Sequence, residues 1–196
     1  MEILGVTGSM GMGKSTVSAI FRAYGFPVFD ADNTVKQLQQ PNGKVTRVLS
    51  KAFPEAYKEG KLDRTCLRQL IVKDKNNLQI LENITLPLVT KERENFIKRA
   101  RARHKKWCIL DIPLLFETNI DKECDKVIVV NSPRAIQKYR IIKRGKITWE
   151  QALVLIESQL PNREKCRRAD YIIQTGLSKA YTYFQVKRLL SIMKAS

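Results

Sequence analysis

Nine consecutive residues, Gly8-Ser9-Met10-Gly11-Met12-Gly13-Lys14-Ser15-Thr16, are of the types that bind phosphate. Glycines at this spacing let the backbone take positive φ and approach an anion closely, so that successive amides point into one concavity. Lys14 adds a point charge, and the Ser15 hydroxyl stands where it can ligate a Mg2+ ion on the bound phosphates. The stretch completes the pattern G-x-x-x-x-G-K-[ST], which makes Gly11, Met12, Gly13, Lys14, Ser15 and Thr16 the predicted contacts of a nucleotide's phosphates.

Transfer of a phosphoryl group also needs a residue that receives the proton of the acceptor hydroxyl. Asp32, just beyond the second apolar run, is the predicted base. Asp30 is its rival, able instead to cap the next helix or to hold Mg2+ through water. Asp111 ends another apolar run, where a carboxylate can serve either the metal or the fold, and both readings stay open. Arg140 and Arg144 are four residues apart and share a helix face, so their guanidinium groups could clamp a transferring phosphoryl group. A solvated basic face is the other reading of that pair.

These residues need a scaffold, and the hydrophobic pattern supplies one. A strand over residues 2–7 leads into the glycine stretch, and Val17, Ile20, Phe21 and Tyr24 then repeat at helical spacing up to Gly25. Further strands are predicted at residues 26–29, 107–112, 125–131 and 170–174. Two of them, 107–112 and 125–131, are apolar enough to be buried on both faces. Residues 33–103 carry helical patterns without a strand, broken by Pro41-Asn42-Gly43, Pro54 and Gly60. Ser132-Pro133 opens a helix through Arg144, a second helix spans residues 149–159, and Tyr181, Phe184, Leu189, Leu190 and Met193 form the stripe of a closing helix. Strands alternating with helices predict a three-layer α/β/α P-loop NTPase fold with a parallel five-stranded sheet, its helical excess held in insertions.

Composition narrows the setting. The 196 residues carry 36 Lys and Arg against 19 Asp and Glu, a formal charge of +17 that attracts polyanions without choosing among them. Residues 91–106 contribute +6, spread around a helix, and residues 133–168 contribute +7. Cys66, Cys108, Cys124 and Cys166 are widely spaced and read as free thiols of a reducing cytoplasm. His104, the single histidine, lies in a basic run and reads as a surface residue, which argues against a zinc site or a histidine-dependent triad. No run is long and apolar enough for a membrane span, and no targeting segment is read at the start, so a soluble protein is expected.

The motifs together carry a family resemblance. Residues 8–16, Asp30-Ala31-Asp32, Leu62-Asp63-Arg64, Leu81-Glu82-Asn83-Ile84 with Pro87 and Val89, Pro113-Leu114-Leu115-Phe116-Glu117, Arg140 with Arg144, and Gln159 before Ala169-Asp170 resemble the dephospho-CoA kinases nearly end to end. The resemblance implies a nucleotide-kinase-like fold within one domain. Its core would be residues 1–32, 104–135 and 168–196, with a helical acceptor lobe at 33–103 and a lid at 136–167. It implies ATP as co-substrate, Mg2+, and phosphorylation of the ribose 3′-hydroxyl of dephospho-CoA, with no nucleic-acid or membrane partner. Asp32 then matches the general base and an acceptor contact, Lys14 and Arg140 join it as catalytic groups, and Arg144 joins the ATP contacts. Arg64 and Leu114 become acceptor contacts and Ser15 the metal ligand. Two positions depart from the family pattern: Leu86 stands where a histidine is usual, and Gln174-Thr175-Gly176 replaces Asn-x-Gly. Another P-loop kinase with a nucleoside, nucleotide or sugar acceptor, or a basic nucleic-acid-binding NTPase, would share the loop but not the whole set.

Overall fold

Alternation along the first strand decides how the core is built. In the computed structural model, which describes residues 1–41, 45–58, 61–145 and 147–195, β1 (Glu2–Thr7) is buried from Ile3 onward. Leu4 and Val6 face one side and meet α1 (Lys14–Ala23) and α9 (Lys179–Ala195) through Val17, Phe21, Val186, Leu189, Leu190 and Met193. Gly5 faces the other side, where a Cβ would come within 2.8 Å of Leu115 and 2.9 Å of the Cys124 thiol. Only glycine lets that layer pack so closely on the strand.

Five strands form one sheet in the order β2 (Val28–Asp30), β5 (Trp107–Asp111), β1, β6 (Lys126–Asn131) and β7 (Tyr171–Gln174). β1 pairs in parallel with β5 and β6, and β6 in parallel with β7. The parallel five-stranded sheet between helical layers is thus the predicted architecture. In this order β5, not β2, is the neighbour of β1, so Asp111 ends the strand beside the phosphate loop. The carbonyl edge of the sheet is where such folds bind ligands.

The chain divides into two compact units, residues 1–29 with 100–196 and residues 30–99. The second unit has its own core, in which Leu38 of α2 (Ala31–Leu38) and Leu49 of α3 (Thr46–Ala52) pack with Val45, Phe53 and Ala56. Leu67 of α4 (Arg64–Lys73) and the Leu81, Ile84, Leu88 and Val89 side chains of α5 (Lys75–Ala102) complete it. No strand was expected here, yet β3 (Tyr57–Lys58) and β4 (Lys61–Leu62) pair antiparallel. Two residues per strand are too few to write an alternating pattern. Three of the expected chain breakers, Asn42, Gly43 and Gly60, lie outside the described residues.

The remaining helices are α6 (Arg134–Arg144), α7 (Trp149–Glu157) and α8 (Asn162–Arg167). α7 starts at a reciprocal cap between Thr148 and Gln151, and α8 was not anticipated. The closing helix also departs from its predicted stripe. Thr182, Val186, Leu189, Leu190 and Met193 are buried, whereas Phe184 and Tyr181 face outward.

Cys108 reports on the sheet directly. It is buried in β5, and burial pushes its thiol up to about 11, so at pH 8 it stays protonated and unreactive. Labelling of the native protein with a thiol reagent, read by peptide mass, should leave Cys108 unmodified until denaturant is added. Modification at the rate of an exposed thiol would mean that the strand opens freely.

Candidate active site

The glycine stretch closes over itself in a way that sorts its backbone groups by direction. Gly13 caps α1 at φ 94°, and a Cβ there would lie 2.7 Å from the Thr175 hydroxyl, so both the conformation and the space require glycine. The carbonyl oxygens of the loop are occupied by protein donors. Gln137 Nε2 donates to Met10 at 2.6 Å, Arg140 Nη1 to Gly11 at 3.4 Å, and the Thr175 hydroxyl to Met12. The Ser9 amide donates to Asn162 Oδ1 at 3.2 Å. By contrast, the amides of Gly11, Gly13, Lys14 and Ser15 donate to no acceptor among the described residues. Carbonyls held outward and amides left over at the start of a helix make a ready cradle for anionic oxygens.

Lys14 reaches across to the Asp111 carboxylate, with which it forms an ion pair. Asp111 is 3% exposed and Lys14 14%, so the pair is largely out of water. The register of β5 beside β1 accounts for it: Val6 is level with Asp111, which brings the end of β5 to the loop. The structure shows Asp111 as the ion-pair partner of Lys14, and this does not decide between its two readings.

Ser15 is exposed on the first turn of α1. A single hard oxygen at this place suits Mg2+, which keeps several waters and takes its other ligands from nucleotide phosphates. No group of three or more His, Cys, Asp or Glu side chains among the described residues could hold a metal by itself. The exposed Ser15 oxygen fits such an ion.

Arg140 is half-buried under the loop. Its Nη1 donates to the Thr175 hydroxyl at 2.9 Å and to Ser132 Oγ at 3.5 Å, and its Nη2 donates to the Thr175 carbonyl. Burial, and next the charge of Arg144, pull the guanidinium below its ordinary range. Arg144 is exposed one turn further along α6. The sequence pointed to both arginines as clamps on a phosphoryl group, and here Arg140 braces the loop's backbone.

The other predicted residues fall in two places. After β5, Leu114 is exposed and Leu115 is fully buried, so only the first of the two is available to a ligand. In the second unit, Asp30 is the cap of α2, accepting the Asn33 amide at 2.9 Å, and Asp32 is an exposed acid in that helix's first turn. Asp63 caps α4 in the same manner, and Arg64 is that helix's first residue, its side chain lying outside the described residues. The groups that sequence reasoning missed, Gln137, Asn162, Lys165 and Thr175, all hold the loop or its supports. Gln137 alone left a signal, sitting three residues before Arg140 on the same face of α6.

Known proteins are similar to this chain over nearly its whole length. The family model for dephospho-CoA kinase matches residues 2–179. A dephospho-CoA kinase of Gluconobacter oxydans (strain 621H) is 44% identical over 194 residues, 97% of this chain and 96% of its own length. Among solved structures, a Thermus thermophilus protein aligns with a TM-score of 0.83 at 30% identity, covering 97% of this chain and 96% of that one. A dephospho-CoA kinase from Campylobacter jejuni aligns with a TM-score of 0.72 at 28% identity and the same coverage, 97% and 96%. By its full-length match and its loop, the chain belongs to the dephospho-CoA kinase family.

Proposed function

We propose that this chain transfers the γ-phosphoryl group of ATP to the ribose 3′-hydroxyl of dephospho-CoA, giving CoA and ADP. The observation that carries the reading is the loop with its free amides and the Lys14–Asp111 pair, set in a chain that matches one kinase family over residues 2–179. In this scheme the Gly11, Gly13, Lys14 and Ser15 amides hold the β- and γ-phosphates, with Met12 and Thr16 completing the ATP contacts. Lys14 leaves Asp111 for the phosphate oxygens. Ser15 would hold Mg2+, which would supply charge neutralisation on the phosphates. Asp32 receives the hydroxyl proton, a role supported by its place two residues beyond β2 and by Asp30 being taken up as a cap. Arg64 and Leu114 are the proposed acceptor contacts.

We assign residues 33–103 to the acceptor lobe and residues 136–167 to a lid that brings Arg140 and Arg144 to the transferring group. Closure before transfer keeps water from the γ-phosphate. The reaction would take place in the cytoplasm, in keeping with four free thiols and with no described helix long and apolar enough to cross a membrane.

A coupled ADP-release assay tests the acceptor. ADP should form with ATP, Mg2+ and dephospho-CoA together, and not when dephospho-CoA is replaced by nucleosides or simple sugars. Folded protein that releases no ADP above background with dephospho-CoA overturns the assignment.

A further inference from the structure

The most deeply buried charge in the first unit plays no part in the scheme above. Lys165, on α8, is fully buried although it stands in a strongly basic segment. Its ammonium lies 2.8 Å from Glu117 Oε1 and 3.0 Å from the Pro113 carbonyl. The same carboxylate oxygen accepts the Leu160 amide at 2.9 Å, and the same Pro113 carbonyl accepts the Thr7 hydroxyl at 2.9 Å. One acid therefore holds both the chain that leads into α8, at Leu160, and a side chain in the middle of the helix, and through Pro113 the helix is tied to the last residue of β1. One turn before Lys165, Asn162 accepts the Ser9 amide and donates to Asn131 Oδ1 at 2.8 Å. Its Oδ1 is the only protein acceptor in the described residues for the amide that opens the loop.

We propose that Lys165 and Glu117 are positioning residues that set the nucleotide affinity of the phosphate loop through Asn162, and that α8 is a fixed root from which the lid moves rather than part of the moving lid. A buried ion pair is a poor source of stability, because desolvation offsets most of the attraction. What this pair does supply is geometry: it places an amide side chain where the loop leaves the strand. The proposal rests on the loop binding ATP, and its test does not involve the acceptor.

Asn162→Ala, Lys165→Met and the double variant are compared by calorimetric titration with ATP and Mg2+ and by amide hydrogen exchange. Each single variant should weaken ATP about tenfold, the scale of one lost hydrogen bond at a site of this kind. The double variant should be no weaker than either alone, since both changes act through one contact. Exchange at Ser9 should accelerate while β5 and β6 remain protected. If Lys165→Met does not fold, Glu117→Gln with Lys165→Met, which leaves neither charge alone, takes its place. Additive losses, wild-type ATP binding in Asn162→Ala, or unchanged exchange at Ser9 each overturn the proposal. A protein that binds ATP normally but does not phosphorylate dephospho-CoA would overturn the acceptor assignment and leave this test intact.

Discussion

Lys14→Ala should turn over about a thousandfold more slowly than the parent chain and bind ATP about tenfold more weakly, because the loop loses its one mobile charge on the phosphates. It should also be less stable. Asp111 is nearly inaccessible to water and Lys14 is its ion-pair partner, so the single change strands a buried carboxylate. Breaking such a pair from one side costs about 3 kcal/mol, or about 10 °C in Tm for a chain of this size. The two effects separate in a double variant. Lys14→Met with Asp111→Asn removes both charges, and its thermal midpoint should return toward that of the parent while its turnover stays low. Recovery of turnover along with stability would reduce Lys14 to a structural lysine, and a single variant that keeps both affinity and rate would remove the loop from the reaction.

That double role explains which parts of the site could be read from the chain. The loop was legible because its chemistry is local: glycines, a lysine and a serine in nine residues dictate backbone direction whatever surrounds them. The apolar strands were legible for a similar reason, burial on both faces leaving an unbroken run. The supports of the loop were not. Gln137, Asn162 and Thr175 come from α6, α8 and the turn after β7, and apart from Gln137, which shares a helix face with Arg140, nothing within the segment marks the residue that faces the loop. Lys165 is the clearest case. Its neighbours Arg163, Arg167 and Arg168 give the segment a solvated look, and the acid that buries it, Glu117, is 48 residues earlier. Asp111 reads from the sequence as either functional or structural, and only the strand order, which sets β5 beside β1, supplies its partner.

Asp30 and Asp32 sit two residues apart, and their asparagine variants should behave in opposite ways. Asp30 accepts the Asn33 amide at the start of α2, a task asparagine performs about as well, so Asp30→Asn should keep the helix and most of the activity. Asp32→Asn keeps shape and hydrogen-bonding reach but cannot take a proton at neutral pH. It should lower kcat by about a hundred- to ten-thousandfold. ATP affinity should not change, since the loop's amides and Lys14 are untouched, and the lost first-turn charge should cost only about 0.5 kcal/mol of stability. Steady-state kinetics on the two variants, with ATP binding measured separately, decide the assignment. Activity lost in Asp30→Asn and retained in Asp32→Asn would move the base to Asp30 and return Asp32 to an ordinary helix-start acid. Activity retained in both would mean that water or the phosphate itself receives the proton. Loss in Asp32→Asn alone, at constant ATP affinity, is the result expected of a base that acts on the acceptor.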